Sequence, residues 1–317
     1  MSIANISIVT PVYNEEETVD AFVESIDGVF RSCDDVNVEI IFVNDGSTDG
    51  TLEKILKMHG SGLGVKLVDL SRNFGKEAAL TAGMFEASGD AVIVIDVDLQ
   101  DPPELIPEMI EKWRAGYEVV VGRRVNRDSD SWAKRTSAEM FYKFHNVISS
   151  TQIPNNAGDF RLMDRCVIEA LKQLPESHRF MKGLFAWVGF RTAFIDYSRP
   201  KRNSGASKFN GLKLWSFAVD GITSFSIAPL RLWVYLGIAV AFPAFLFAMF
   251  IVFRVLVSGA DVPGYASLMV AITFIGGVQL IGIGVIGEYV GRTYIESKRR
   301  PNYIVRRVYQ AHEPGGT

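Results

Sequence analysis

The sequence predicts an α/β fold, a mostly parallel sheet with a membrane anchor after it, and three observations lead there. Over the first ~120 residues, short β-rich apolar runs alternate with apolar residues at helical spacing, the pattern of strand–helix–strand crossovers. Near the other end, Leu232–Phe253 and Val262–Gly287 carry no charge over 22 and 26 residues, whereas a membrane-spanning helix needs about 20. Charge is also segregated. Residues 1–200 hold 21 basic and 31 acidic side chains, 201–231 five and one, 232–290 only Arg254, Asp261 and Glu288, and 291–317 six and two. The net charge of −3 on 317 residues therefore conceals an acidic front domain, a basic collar, an apolar stretch and a basic tail. With 48% hydrophobic residues and two cysteines, the composition excludes a disordered chain, a collagen and a disulfide-stapled scaffold.

Each element follows from local pattern. Ile3–Val12 reads as a strand, followed by a helix over Glu15–Phe30 with Val19, Phe22, Val23, Ile26, Val29 and Phe30 on one face. Val38–Val43 is a strand ending in the turn-rich Asn44-Asp45-Gly46-Ser47-Thr48-Asp49-Gly50. Thr51–His59 is helical, Val65–Leu70 a strand, Lys76–Ala87 helical, and Ala91–Ile95 a strand that delivers Asp96-Val97-Asp98. Pro103 opens a helix to Ala115, where proline is tolerated, and Glu118–Val121 closes the series. The N-terminus lacks a charged segment and a cleavage site and reads as the first strand rather than a secretory signal. Cys33 and Cys166 read as two buried, reduced thiols, and the four histidines are scattered.

The apolar stretches predict a two-helix transmembrane hairpin over residues 231–291, with helices at about 232–254 and 266–288. Basic residues crowd both flanks while Arg254 stands alone between, so both termini face the cytoplasm. Residues 206–230 form an amphipathic juxtamembrane region, with Leu212, Trp215, Val219, Ile222 and Phe225 on one face; it either lies in the headgroup layer or packs on the front domain. Gly287 and Gly291 offer a close-packing face, directed at the first span or at a second copy in a homo-oligomer. The organisation is then a cytoplasmic domain over 1–205, the juxtamembrane region, the hairpin, and a basic tail over 292–317 attracted to membrane lipids.

Chemistry concentrates at strand ends. Asp96 and Asp98 leave a buried strand at the edge where open α/β sheets bind ligands, and such carboxylates suit Mg²⁺ or Mn²⁺ carrying a diphosphate. The loop Pro11-Val12-Tyr13-Asn14-Glu15 and the Asn44–Asp49 loop face the same crevice, able to recognise a nucleobase and ribose; ordinary turn and cap chemistry accounts equally well for either alone, and their joint placement favours the ligand reading. A Gly-x-Gly-x-x-Gly fingerprint and a phosphate-loop lysine motif are absent, which argues against a dinucleotide oxidoreductase or an NTPase.

These loops, with Arg72-Asn73-Phe74-Gly75-Lys76 and Asp96–Pro103, resemble the family 2 glycosyltransferases of GT-A fold. Gly158-Asp159-Phe160-Arg161-Leu162-Met163 and Arg179–Gly189 look, more narrowly, like the polyprenyl-phosphate glycosyltransferases, nearest to those that glucosylate bactoprenol for O-antigen modification. The resemblance runs from Ile6 to about Lys298. It implies a GT-A nucleotide-sugar-binding domain that moves glucose from a UDP-sugar to undecaprenyl phosphate at the bacterial inner membrane. A flippase and a periplasmic glycosyltransferase would act downstream, and no nucleic-acid partner is implied. It assigns metal and diphosphate to Asp96 and Asp98 with Gln100 nearby, uridine to Pro11, Tyr13, Glu15, Asp45 and Asp49, the donor side to Lys76, and the catalytic base to Asp159.

Physical chemistry qualifies the last role. A phosphate monoester has its second pKa near ~6, so the attacking oxygen is already ionised at neutral pH and Asp159 orients substrate as much as it accepts a proton. No nucleophile–base pair suggests a covalent intermediate, which leaves single displacement with inversion. Arg161, Arg202 and Lys208 are the cations available to an acceptor phosphate. Galactose, mannose or an amino sugar would require only small pocket changes. A processive glycan synthase would need a Gln-x-x-Arg-Trp element and further spans, and a nucleotide-sugar-binding scaffold would bind without turnover.

Overall fold

A computed structural model of the chain describes residues 3–31, 33, 35–58, 64–125, 157–176, 179–197, 228–258 and 264–310. β1 (Ala4–Val12) leads into α1 (Val19–Phe30), β2 (Val36–Asn44), α2 (Thr51–Met58), β3 (Gly64–Leu70), α3 (Lys76–Glu86) and β4 (Ala91–Val94). A 3₁₀ turn at Pro103–Leu105 precedes α4 (Ile106–Arg114), and β5 (Val119–Arg124) follows. The helix expected from Glu15 begins only at Val19, because the Thr18 amide and hydroxyl turn back onto Glu15 and close a separate turn. Past residue 156 the chain forms β6 (Ala157–Asp164), α5 (Arg165–Lys172), α6 (Met181–Trp187), β7 (Thr192–Tyr197), the long helices α7 (Ala228–Ser258) and α8 (Tyr265–Ser297), and β8 (Val305–Tyr309).

The strands make one sheet in the order β7-β5-β6-β4-β1-β2-β3-β8. β6 and β8 run against the other six, so the sheet is mostly parallel. Its central strands are buried on both faces, which is why β4 is an unbroken apolar Ala-Val-Ile-Val. One face packs Phe42, Ile93 and Phe160 under α1 and α4; the other packs Val9, Val94 and Met163 under α3, α5 and α6. Each fully buried phenylalanine contributes roughly 2–3 kcal/mol relative to exposure.

The two apolar stretches are helical, in helices of 31 and 33 residues that outrun the expected spans. Among the described residues, Phe274–Ser297 is long and apolar enough to cross a membrane, and α7 contains a shorter apolar stretch, Leu232–Phe247. The helices meet where Trp233 lies on Gly282, at a distance no side chain at Gly282 would allow. Gly287 and Gly291 have no described neighbour at the Cβ position, so the face expected to pack is open and Gly282 makes the close approach.

Two expectations change. The tail is not solely a basic segment facing lipid, since β8 extends the sheet beside β3. Cys166 is exposed rather than buried, and Cys33 is half-buried; both are free thiols. Residues 206–227, most of the juxtamembrane region, lie outside the described residues, as do Arg202 and Lys208.

Candidate active site

The parallel strands end on one edge of the sheet, and the loops beyond them are stitched together. Asn14 sits in the left-handed region at φ 54°, and from there its amide donates to Ser47 Oγ at 3.1 Å while its side-chain oxygen accepts the Thr48 amide at 2.8 Å. Asp45 accepts the amides of Phe74 and Gly75 at 2.7 and 2.9 Å, fixing the third loop on the second. Gly46, at φ 70°, permits this contact, since a Cβ there would fall 2.6 Å from the Arg72–Asn73 backbone. The open crevice has a volume of about 310 Å³ and is lined by predicted residues Pro11, Tyr13, Glu15, Asp45, Lys76, Asp96 and Asp98. Tyr13 is 47% exposed, which leaves its ring free to stack.

Asp159 reaches the same edge by a different route. β6 runs antiparallel to β4 with Arg161 opposite Val94, so the start of β6, rather than its end, arrives beside Asp96. Lys76, the first residue of α3, bridges the two carboxylates: its ammonium is 2.7 Å from Asp96 Oδ1 and 2.8 Å from Asp159 Oδ2. Burial opposes the ammonium, but Asp96 and Asp159 outweigh it and hold Lys76 well above its usual range. Burial raises Asp96 in spite of Lys76. Asp159 meets the same burial penalty, yet Lys76, Lys182 and Arg161 together hold it below its usual value.

Three sequence assignments find other surroundings. Arg161 is 5% exposed, donates to the Gly158 carbonyl at 2.6 Å and stacks 3.8 Å from the Phe185 ring centroid, so it supports Asp159 from below rather than opening onto the crevice. Burial lowers it to about 10, still cationic at neutral pH. Asp49 accepts the Thr51 amide at 3.1 Å and the Thr51 hydroxyl, which makes it a cap for α2 instead of a crevice residue. Gln100 lies outside the lining and donates its amide to Asp98 Oδ1 at 3.1 Å, in a turn where Leu99 has φ 52°.

Other residues gain a place at the crevice only with the structure. Asn73 and Gly75 line the crevice, and Glu77 stands behind it, accepting the Met181 amide at 3.3 Å. Burial and the nearby Asp159 push Glu77 up to about 7. The only sequence signal for Glu77 was its place beside Lys76.

The donor set suits an open cation site. Asp96 and Asp98 provide hard oxygens from one turn, and both Asp96 oxygens meet the Lys76 ammonium, at 2.7 and 2.8 Å, so a cation held there would have to share or displace that contact. Among the described residues no three His, Cys, Asp or Glu side chains form a metal cluster, so water and diphosphate oxygens would have to complete the shell.

With β6 inserted antiparallel beside β4 and the crevice at the carboxyl edge, the fold is that of a GT-A type glycosyltransferase domain. Comparison makes the class specific: residues 7–172 match the model of glycosyl transferase family 2, and the chain belongs to that family. A bactoprenol glucosyl transferase of Shigella phage SfV is 53% identical over 301 residues, which span 95% of this chain and 98% of that protein. A prophage bactoprenol glucosyl transferase homolog of Escherichia coli K12 is 51% identical over 303 residues, 96% and 99% of the two chains. An uncharacterized glycosyltransferase of Synechocystis is 52% identical over 300 residues, 95% and 94%. The chain is a glycosyltransferase enzyme.

Proposed function

We propose that the chain transfers glucose from UDP-glucose to undecaprenyl phosphate at the cytoplasmic face of a bacterial inner membrane, in one displacement with inversion. The observation that carries this reading is the Lys76 bridge between Asp96 and Asp159 at the mouth of the loop-lined crevice. Sugar and acceptor come from the relatives named for bactoprenol glucosyl transfer.

In this reading Tyr13 stacks on the uracil while Pro11, Glu15 and Asp45 shape the nucleoside end. Asp96 and Asp98 would hold Mg²⁺ or Mn²⁺, which supplies charge neutralisation at the departing diphosphate. Lys76 adds a fixed positive charge to the same edge. Asp159, kept ionised by its cationic neighbours, orients the sugar or the already ionised acceptor. Arg202 and Lys208 grip the acceptor phosphate, and Arg161 acts through Asp159.

The helices α7 and α8 form the anchor, crossing as a hairpin that leaves both ends in the cytoplasm. Strands on either side of this pair belong to one sheet, which supports an even number of crossings. Membranes holding the protein, given radiolabelled UDP-glucose, undecaprenyl phosphate and Mg²⁺, should yield lipid-soluble label that disappears with EDTA. Nucleotide binding without transfer from UDP-glucose, UDP-galactose, UDP-N-acetylglucosamine or GDP-mannose would reject the reading and favour a scaffold.

A further inference from the structure

The strand beyond the long helices touches the crevice loops at their roots. β8 pairs with β3 so that Val308 faces Val68 and Arg307 faces Asp69, and the register then shifts before Leu70 meets Val305. At that irregularity the Ser71 amide donates to the Ile304 carbonyl at 2.9 Å. Arg306 joins both sides of it: Nη2 donates to the Ser71 carbonyl at 2.7 Å, and Nη1 lies 3.5 Å from Asp69 Oδ2. Asp69 is a buried carboxylate, its side chain 3% exposed, and its other oxygen accepts Asn44 Nδ2 at 2.7 Å. Asn44 passes the connection on, its side-chain oxygen accepting the Ser47 amide at 3.1 Å. Ser71 opens the loop that carries Asn73, Gly75 and Lys76 to the crevice.

We propose that Arg306 is a positioning residue for the nucleotide-sugar donor. It never reaches the crevice, yet it fixes the 71–76 loop directly and the 44–49 loop through Asp69 and Asn44. Without it, the Ser71 carbonyl loses a charged donor and the buried Asp69 keeps one side-chain partner among the described residues, Asn44. The loops that hold the nucleotide then lose their outer support, while Asp159 and the acceptor side keep theirs. This inference rests on the reading of the crevice as a UDP-sugar site.

The test uses the full chain in membranes or detergent, with Arg306→Ala, Arg306→Lys and Arg307→Ala; Arg307 places its guanidinium over Tyr309 instead. UDP affinity by calorimetry, KM for UDP-glucose, KM for undecaprenyl phosphate and kcat are measured for each. Arg306→Ala should weaken UDP binding and raise donor KM about 5–10-fold, the effect of losing hydrogen bonds from a charged group. Acceptor KM and kcat should hold, Arg306→Lys should recover part of the loss, and Arg307→Ala should match the parent. If the alanine variant fails to accumulate, Arg306→Gln carries the same comparison. Unchanged UDP affinity, or equal losses in donor KM, acceptor KM and kcat, would overturn the role. A parent protein that binds no UDP would instead overturn the donor reading, and this role with it.

Discussion

Toward the amino-terminal edge of the sheet, Glu39 accepts the amide and hydroxyl of Ser88 at 2.8 and 2.7 Å and the hydroxyl of Ser7, with Lys66 nearby. Burial would raise this carboxylate, but its partners prevail and hold it below its usual value. At the carboxyl edge the same residue types are left in tension. Glu77 is pushed up to about 7, Asp96 is raised despite its ammonium neighbour, and the buried Arg161 has no partner for its Nε among the described residues. Four residues there, Asn14, Gly46, Gly75 and Leu99, hold positive φ. One edge satisfies its charges internally, whereas the other keeps charges that a ligand would complete, and it is the second that marks a site.

The contrast breaks most visibly at Asp98. Its described hydrogen bond is from the Gln100 amide, so Asp98→Asn should leave the unfolding midpoint almost unchanged. Its turnover should fall about 10³-fold, the scale of losing one preorganised electrostatic group. Transfer assays paired with thermal unfolding check both halves.

Glu77 sharpens the contrast through pH. Its ordinary value of 4.5 is raised to about 7 in the fold, so its neutral form is favoured. Stability is therefore full below pH 4.5, declines as pH rises to about 7, and stays lower above that. Glu77→Gln escapes the decline, and at pH 8 should be more stable than the parent by roughly 2–3 kcal/mol. Unfolding midpoints at pH 8 and pH 4.5 test this: the gain should be confined to the higher pH.

The smallest effect belongs to the satisfied edge. Glu39→Gln keeps an acceptor oxygen for the donors of Ser7 and Ser88 but removes the charge that strengthens those bonds, at a cost of about 1–2 kcal/mol. Transfer activity per folded molecule should match the parent. A large loss of turnover with full stability would contradict the division between the edges.

Much of the crevice was legible because parallel strands advertise it. Ala91–Ile95 is an apolar run ending in carboxylates, and Pro11–Glu15 follows another, so edge and sign of charge could be read without a fold in hand. Asp159 was reachable only through family resemblance, since nothing local says that Ala157–Asp164 enters the sheet antiparallel beside β4. Asp49 was ambiguous because Asn-Asp-Gly-Ser-Thr-Asp serves equally as a ligand loop and as a helix start, and in the fold its carboxylate holds the Thr51 amide and hydroxyl. Arg161 read as a candidate phosphate grip because a sequence does not show which face of β6 is covered by Phe185. β8 was hidden for a related reason: its five residues, Val-Arg-Arg-Val-Tyr, show no period-two alternation, and two adjacent arginines sit at their centre.

That last strand also sets an order of assembly. β3 leaves the ribosome long before β8, with both long helices between them. Until those helices have been delivered and the chain has turned back, β3 is an open edge and Asp69 lacks its arginine. In the proposed membrane-anchored reading, the catalytic domain is thus finished last by the strand that follows the anchor, so a copy that fails to insert would be left with an incomplete sheet and an exposed strand, open to chaperones and proteases.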